Sequence, residues 1–266
     1  MAADAVRAVH LGTRDYLACW DFQRLLAARR REGEIPDLLL LVEHPPTYTI
    51  GRGGHRSHLL VDEATLARLG ARCYAVDRGG DITFHGPGQL VAYVILDLGR
   101  AERSVRRFVE RLERTVIEAL GHFGVRGGID PGRPGVWVGR DKIAAIGIAV
   151  RRGVTYHGFA LNIDVGLDYF GYMIPCGIPD RGVTSLARLL GHPVSMEEAG
   201  RAVVASFARA FERPVIEASD DQAWLHAVLR AVAWEDADSV GRRYGQNSDQ
   251  ERLLDDVTSH ERIGCL

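Results

Sequence analysis

One lysine, Lys142, stands among 33 basic residues, and the other thirty-two are arginine. Arginine keeps its proton in any protein, whereas a lysine ammonium, ordinarily near pKa ~10.4, is tuned toward neutrality by burial or by neighbouring cations. A GC-rich genome explains arginine wherever only positive charge is wanted. The surviving lysine needs a reason of its own, and proton transfer is a task arginine cannot perform. Thirty-four positions further on, Cys176 sits in Pro175-Cys176-Gly177-Ile178. A free thiol, pKa about 8.5, is only a few per cent thiolate at neutral pH, so a nucleophilic cysteine requires an activating neighbour. Each residue also has a bland alternative, a chance surface lysine and a small buried hydrophobe.

Two more segments concentrate glycine with polar residues. They are Arg78-Gly79-Gly80-Asp81-Ile82-Thr83-Phe84-His85-Gly86-Pro87-Gly88-Gln89 and Gly139-Arg140-Asp141-Lys142. Glycine lets backbone approach a ligand closely, although Gly-Pro-Gly is first of all a turn. His85 either closes that turn or orients a reacting carbonyl. His157 is either a satisfied core histidine or an orienting group, and the backbone amides near Gly147 and Gly158 are the better candidates for stabilising an oxyanion.

The elements that must hold these residues follow from apolar spacing. Amphipathic helices are predicted over 15–31, over 104–123, and from a Ser-x-x-Glu capping box at Ser195 to Phe211. Strands are predicted over 38–42, 48–50, 73–76, 81–84 and 90–98. Lys142–Val150 and Val154–Ile163 form a hairpin through Arg151-Arg152-Gly153, with Lys142 at a strand start. Pairing Val150 with Val154 sets Ile146 opposite Gly158, Ala144 opposite Ala160 and Lys142 opposite Asn162, so that small residues line the lysine's own face and leave a space that either a flexible chain or a packed helix could fill. The irregular order of elements favours α+β over alternating βαβ. Residues 1–215 read as one catalytic domain and 216–266 as an extension, one helix from Ser219 followed by a loosely ordered tail.

With a formal charge of -2 and a pI near 6.6, no global bias favours nucleic acid or an anionic membrane surface. No apolar run approaches the ~18–20 residues of a membrane span, and no basic cluster followed by an apolar stretch opens the chain, so a soluble, cytoplasmic protein is expected. The four cysteines, Cys19, Cys73, Cys176 and Cys265, form no C-x-x-C pair, so neither a disulfide framework nor a structural metal is expected.

Taken together, the segments resemble the lipoyl(octanoyl) transferase family of lipoate biosynthesis over roughly residues 10 to 215. The resemblance rests on Arg78-Gly79-Gly80-x-x-Thr83-x-His85-Gly86-Pro87-Gly88-Gln89-Leu90, on Lys142-Ile143 with Gly147, on His157-Gly158-x-Ala160-x-Asn162, and on Cys176-Gly177 followed by Val183-Thr184-Ser185-Leu186. It implies a fold similar to the catalytic domain of biotin and lipoate protein ligases, a mixed or antiparallel sheet flanked by helices. It further implies that Cys176 and Lys142 are the catalytic pair of an acyltransferase working by a ping-pong route. An octanoyl group would pass from octanoyl-acyl carrier protein to Cys176 as a thioester. It would then pass to a lysine on lipoyl domains, those of the E2 subunits of 2-oxoacid dehydrogenases and of the glycine cleavage H protein, without cofactor, metal or ATP.

Arg78, Gly79, Gly80, Asp81, Ile82, Thr83, Phe84 and His85 look like one wall of the acyl site, and Ala145, Ile146, Gly147, Gly158, Phe159 and Ala160 like another. Burying a methylene is worth about 0.8 kcal/mol, so chain-length preference should be graded. Acidic carrier domains would meet arginines such as Arg52, Arg56 and Arg78. The rivals are an ATP-dependent ligase on the same fold, which needs no nucleophilic cysteine, a thioester hydrolase, and a non-catalytic binding module.

Overall fold

A computed structural model of the chain describes residues 5–99, 104–174 and 181–217. Eight strands form a mixed sheet in the order β11-β1-β2-β6-β10-β9-β8-β7. They are β1 Val6–Thr13, β2 Leu38–Glu43, β6 Gln89–Ile95, β7 Gly128–Asp130, β8 Arg133–Val138, β9 Asp141–Arg151, β10 Val154–Asn162 and β11 Val215–Glu217. β1 runs parallel to β2 and β11, and the remaining pairs are antiparallel. A second sheet, β4-β3-β5, holds β3 Thr47–Ile50, β4 Arg72–Ala75 and β5 Ile82–His85.

The central strands read as unbroken apolar runs because both faces are covered. One face packs under α3, Val105–His122, and α5, Met196–Phe211, with Leu39, Leu41, Val94, Phe159 and Leu161 in that core. The other takes α1, Tyr16–Arg31, against Leu38, Leu40, Tyr93, Tyr156 and Ala160, and two short helices, α2 Glu63–Arg68 and α4 Leu186–Leu190, bury Leu66 and Leu186. The helix limits follow the caps. Asp15, Ser104 and Ser195 accept from Ala18, Arg107 and Glu198 backbone N–H groups, and each cap supplies an acceptor the first turn lacks.

Ile216 and Glu217 pair with Arg7 and Ala8 at the sheet's edge. The helix expected from Ser219 lies outside the described residues. Among the described residues, no helix is long and apolar enough to cross a membrane.

The hairpin register differs by one residue from the expected one. Arg152 and Gly153 have φ of 51° and 89°, a two-residue turn with both central residues left-handed, so Arg151 rather than Val150 pairs with Val154. The slip exchanges faces. Ala145 stands opposite Ala160 and Gly147 opposite Gly158, whereas Ala144 and Ile146 face Leu161 and Phe159 on the other side. β9 is bulged at Ile143, for Ala144 faces Val136 while Lys142 faces Trp137, and Ile143 and Ala144 both enter the core, so the lysine lies on the other side of the sheet from Ala144.

Candidate active site

Gly147, paired with Gly158, faces the Arg-Gly-Gly segment. Gly79 donates its N–H to Ile148 O at 2.9 Å. A Cβ on Gly147 would come within 2.8 Å of Gly79 O and 3.0 Å of Arg78 Cδ, so glycine is what lets this loop lie on β9. Gly158 is tighter still, because a Cβ there would meet Ala92 O at 2.1 Å. Gly158→Ala is expected to destabilise the protein by about 1–3 kcal/mol, because the clash is with backbone in a close-packed interior. An unchanged urea midpoint would contradict this packing. Gly158 stands between Tyr93 of β6 and Gly147 of β9, so its amide faces a ladder partner on either side rather than an open oxyanion site.

Alternation along β5 splits the first predicted wall. Ile82 and Phe84 enter the core of the small sheet, where the Phe84 ring stacks on Tyr169 at 4.6 Å. Thr83 lies on the other face, opposite Thr49, and His85 shares that face. Asp81 is held by His58 Nδ1 at 2.8 Å and by the Ile82 N–H at 2.6 Å. The second wall divides in the same way. Ile146 and Phe159 belong to the core under α3 and α5, whereas Ala145, Gly147, Gly158 and Ala160 alternate to the opposite face, where Gly147 meets Arg78.

Arg78 corrects the expectation that it meets an acidic carrier. It is 7% exposed, and its Nη2 donates to Thr49 O at 2.6 Å and to Thr49 Oγ1 at 2.9 Å. Arg56 pairs with Glu63 at 2.9 Å, and Arg52 is exposed. His85 is also fully engaged, with Nδ1 on Gln89 Oε1 at 2.8 Å and Nε2 on Thr49 Oγ1 at 3.3 Å, so neither ring nitrogen faces a substrate.

His157 has φ of +60°, unusual inside a strand. The twist lets consecutive side chains reach one partner. Asp77 receives Tyr156 Oη–H, His157 Nε2–H at 2.8 Å and Trp20 Nε1–H at 3.0 Å. Burial raises the Asp77 pKa, but these hydrogen bonds and the His157 partner outweigh it and hold the carboxyl at about 2. Burial holds His157 below the ordinary histidine value although Asp77 opposes it, and it holds His85 far below, with His44 and Arg78 adding to the effect. His44 is pushed down to about 4 by burial.

The fold is therefore expected to weaken in mild acid. Each of these histidines is neutral when folded and binds a proton readily only when unfolded. Their stabilisation is complete above about pH 6.5 and is lost as pH falls toward the depressed folded values, by about 3 kcal/mol for His44 alone. The ionised Asp77 adds a further loss between about pH 4 and 2. A melting temperature that stays flat from pH 7.5 to 4.5 would show that these side chains are not buried as described.

Lys142 is the second residue of β9, beyond the last β9 residue that β10 pairs with. Its N–H donates to Gly182 O at 2.9 Å, and its carbonyl accepts from Thr184 N at 3.0 Å. Nζ lies 3.2 Å from Pro134 O and 4.7 Å from the centre of the Trp137 ring, a cation–π arrangement. Ile174, at the other end of the cysteine segment, donates to His58 O at 2.8 Å. Cys176 itself lies outside the described residues. Among the described residues, no cluster of three or more His, Cys, Asp or Glu could hold a metal ion.

Over residues 15–208 the chain matches the model of the lipoyl protein ligase A/B catalytic domain. The chain belongs to this family. Within the lipoyl protein ligase A/B family, it is 44% identical over 210 residues to an octanoyltransferase of Alkaliphilus metalliredigens, covering 79% of this chain and 96% of that one. It is 47% identical over 202 residues to an octanoyltransferase of Solibacter usitatus, covering 76% and 91%. The fold is shared with a lipoate-protein ligase A crystallised with ATP, at TM-score 0.68 and 17% identity, covering 80% of this chain and 88% of that one. A putative lipoate protein ligase from Thermoplasma acidophilum with bound lipoic acid matches at TM-score 0.65 and 17% identity, with the same coverage.

The lipoyl protein ligase A/B match contains residues to which the sequence reading assigned no role, among them Thr49, Asp77, Gln89 and Asn162. One signal pointed to Asn162, Gln89 and His44. A polar residue within or bounding a run of buried apolar strand is costly unless it is bonded.

Proposed function

We propose that this protein transfers an octanoyl group from octanoyl-acyl carrier protein to the acceptor lysine of lipoyl domains, including those of E2 subunits and of the glycine cleavage H protein, through a thioester on Cys176. In the first half-reaction, Sγ of Cys176 attacks the donor thioester carbonyl while the thiol proton passes to Lys142 Nζ. The bond from the acyl carbon to the carrier sulfur breaks, and that sulfur takes the proton from Lys142. In the second, the neutral acceptor amine attacks the acyl-cysteine. The amide C–N bond forms, the bond to Sγ breaks, and Lys142 carries the amine proton to the departing thiolate. The exchange of one thioester for another is nearly thermoneutral, and amide formation drives the whole without ATP.

The single observation that carries this reading is the clamp between Lys142 and the segment Gly182–Thr184, which begins six positions after Cys176. Six residues span at most about 20 Å, so the thiol lies within chain reach of the lysine. The octanoyltransferase relatives support the substrate class. Incubation with octanoyl-acyl carrier protein alone, followed by intact-mass measurement, tests the reading: one octanoyl adduct, mapped to the Cys176 peptide and discharged by a lipoyl domain, is expected. No adduct, together with pyrophosphate release from octanoate and ATP, would instead make it an adenylate-forming ligase.

A further inference from the structure

Lys142 stands at the end of a chain of hydrogen bonds whose direction is fixed at every link. Gln89 Nε2 faces two acceptors, Phe84 O at 3.0 Å and Asn162 Oδ1 at 2.9 Å, so its amide cannot be reversed. Gln89 Oε1 must then accept from His85 Nδ1, which leaves His85 Nε2 to accept from Thr49 Oγ1, itself the acceptor of Arg78 Nη2. In the other direction, Asn162 Oδ1 is taken by Gln89, so Nδ2 donates to Thr184 O at 3.0 Å. Thr184 N and Gly182 O complete the ladder on the two sides of the Lys142 peptide. Gln89, Asn162 and Thr184 are at most 3% exposed.

This chain makes good a specific deficit. β10 pairs with β9 only as far as Leu161 with Ala144, so Lys142 has no partner from that strand. Gly182–Thr184 substitutes for it, in a parallel bridge between Lys142 and Val183. What fixes the substitute from the sheet side is the Asn162 amide, and what fixes Asn162 is Gln89. A buried amide that loses one partner leaves the other unsatisfied, so the links act together. We infer that Gln89 and Asn162 are positioning residues of the acyl transfer, setting where Lys142 stands by anchoring the segment that clamps its backbone. The inference rests on the reading of Lys142 as the proton carrier.

Asn162→Ala removes both the donor to Thr184 O and the acceptor from Gln89. The expected result is a kcat lowered about 10- to 100-fold, with KM for either protein substrate changed less than about two-fold, because a displacement near 1 Å penalises the reacting geometry more than it does binding. The limb of the kcat pH profile that depends on Lys142 should shift as well, a change that lost stability alone does not produce. Gln89→Met, one link further away and similar in volume, should lower kcat in the same direction by a smaller factor, and it decides the matter if Asn162→Ala does not fold. Wild-type kcat and pH profile in a folded variant, or a loss confined to KM, would overturn the inference. Lys142→Ala is run alongside: if it keeps full turnover, the reading of Lys142 has failed rather than the role of the network.

Discussion

Cys176→Ser should abolish octanoyl transfer, with kcat falling at least ~10³-fold and no acyl adduct accumulating, while the protein still binds its carrier substrate. The size of the effect comes from the sulfur. A thiol reaches appreciable ionisation near neutral pH, and its acyl derivative is as activated as the donor thioester. A serine hydroxyl stays protonated beside the same base, and the ester it would form is a poorer acyl donor to an amine. Single-turnover assays with octanoyl-acyl carrier protein, in the presence and absence of a lipoyl domain, separate the two half-reactions. Full transfer by the serine variant would mean that the acyl group passes directly from carrier to acceptor.

Lys142→Arg is expected to cost about 10²- to 10⁴-fold in turnover, the usual range for removing a positioned acid–base group. The substitution keeps a cation that can lie over Trp137, but a guanidinium does not surrender its proton. Electrostatic help to the thiolate therefore survives in part, whereas proton transfer does not. The second half-reaction should suffer more than the first, because the acceptor lysine must lose protons to become an amide, and a thiol needs only to reach its thiolate. Acyl-enzyme formation slowed less than its discharge is the expected pattern. Near-normal turnover would show that charge alone suffices at this position.

The pair at the centre of both experiments was legible as residue type alone: one lysine that arginine had not replaced, and a cysteine flanked by proline and glycine. Helix limits were legible for a local reason, since Asp15, Ser104 and Ser195 satisfy donors within their own first turns. The walls of the site were only half legible. Consecutive residues such as Thr83 and Phe84, or Phe159 and Ala160, belong to opposite faces of their strands, so a contiguous motif mixes groove with core. Arg78 reads as a surface charge and is a buried strut, because its partner Thr49 lies 29 positions away on β3.

By itself, then, the sequence determined the family, the chemical types available at Lys142 and Cys176, the three long helices and the strands β2 to β6, β9 and β10, because propensity, capping and apolar period are properties of neighbouring residues; the outer strands β1, β7, β8 and β11 carry no such local signal. Tertiary structure alone decided the register of the β9–β10 hairpin, the face that its small residues present, and the clamp that holds Lys142. The first two depended on two left-handed residues in one turn. The third depended on pairings among β6, β10 and the segment after Cys176, contacts between residues far apart in the chain that no local pattern encodes.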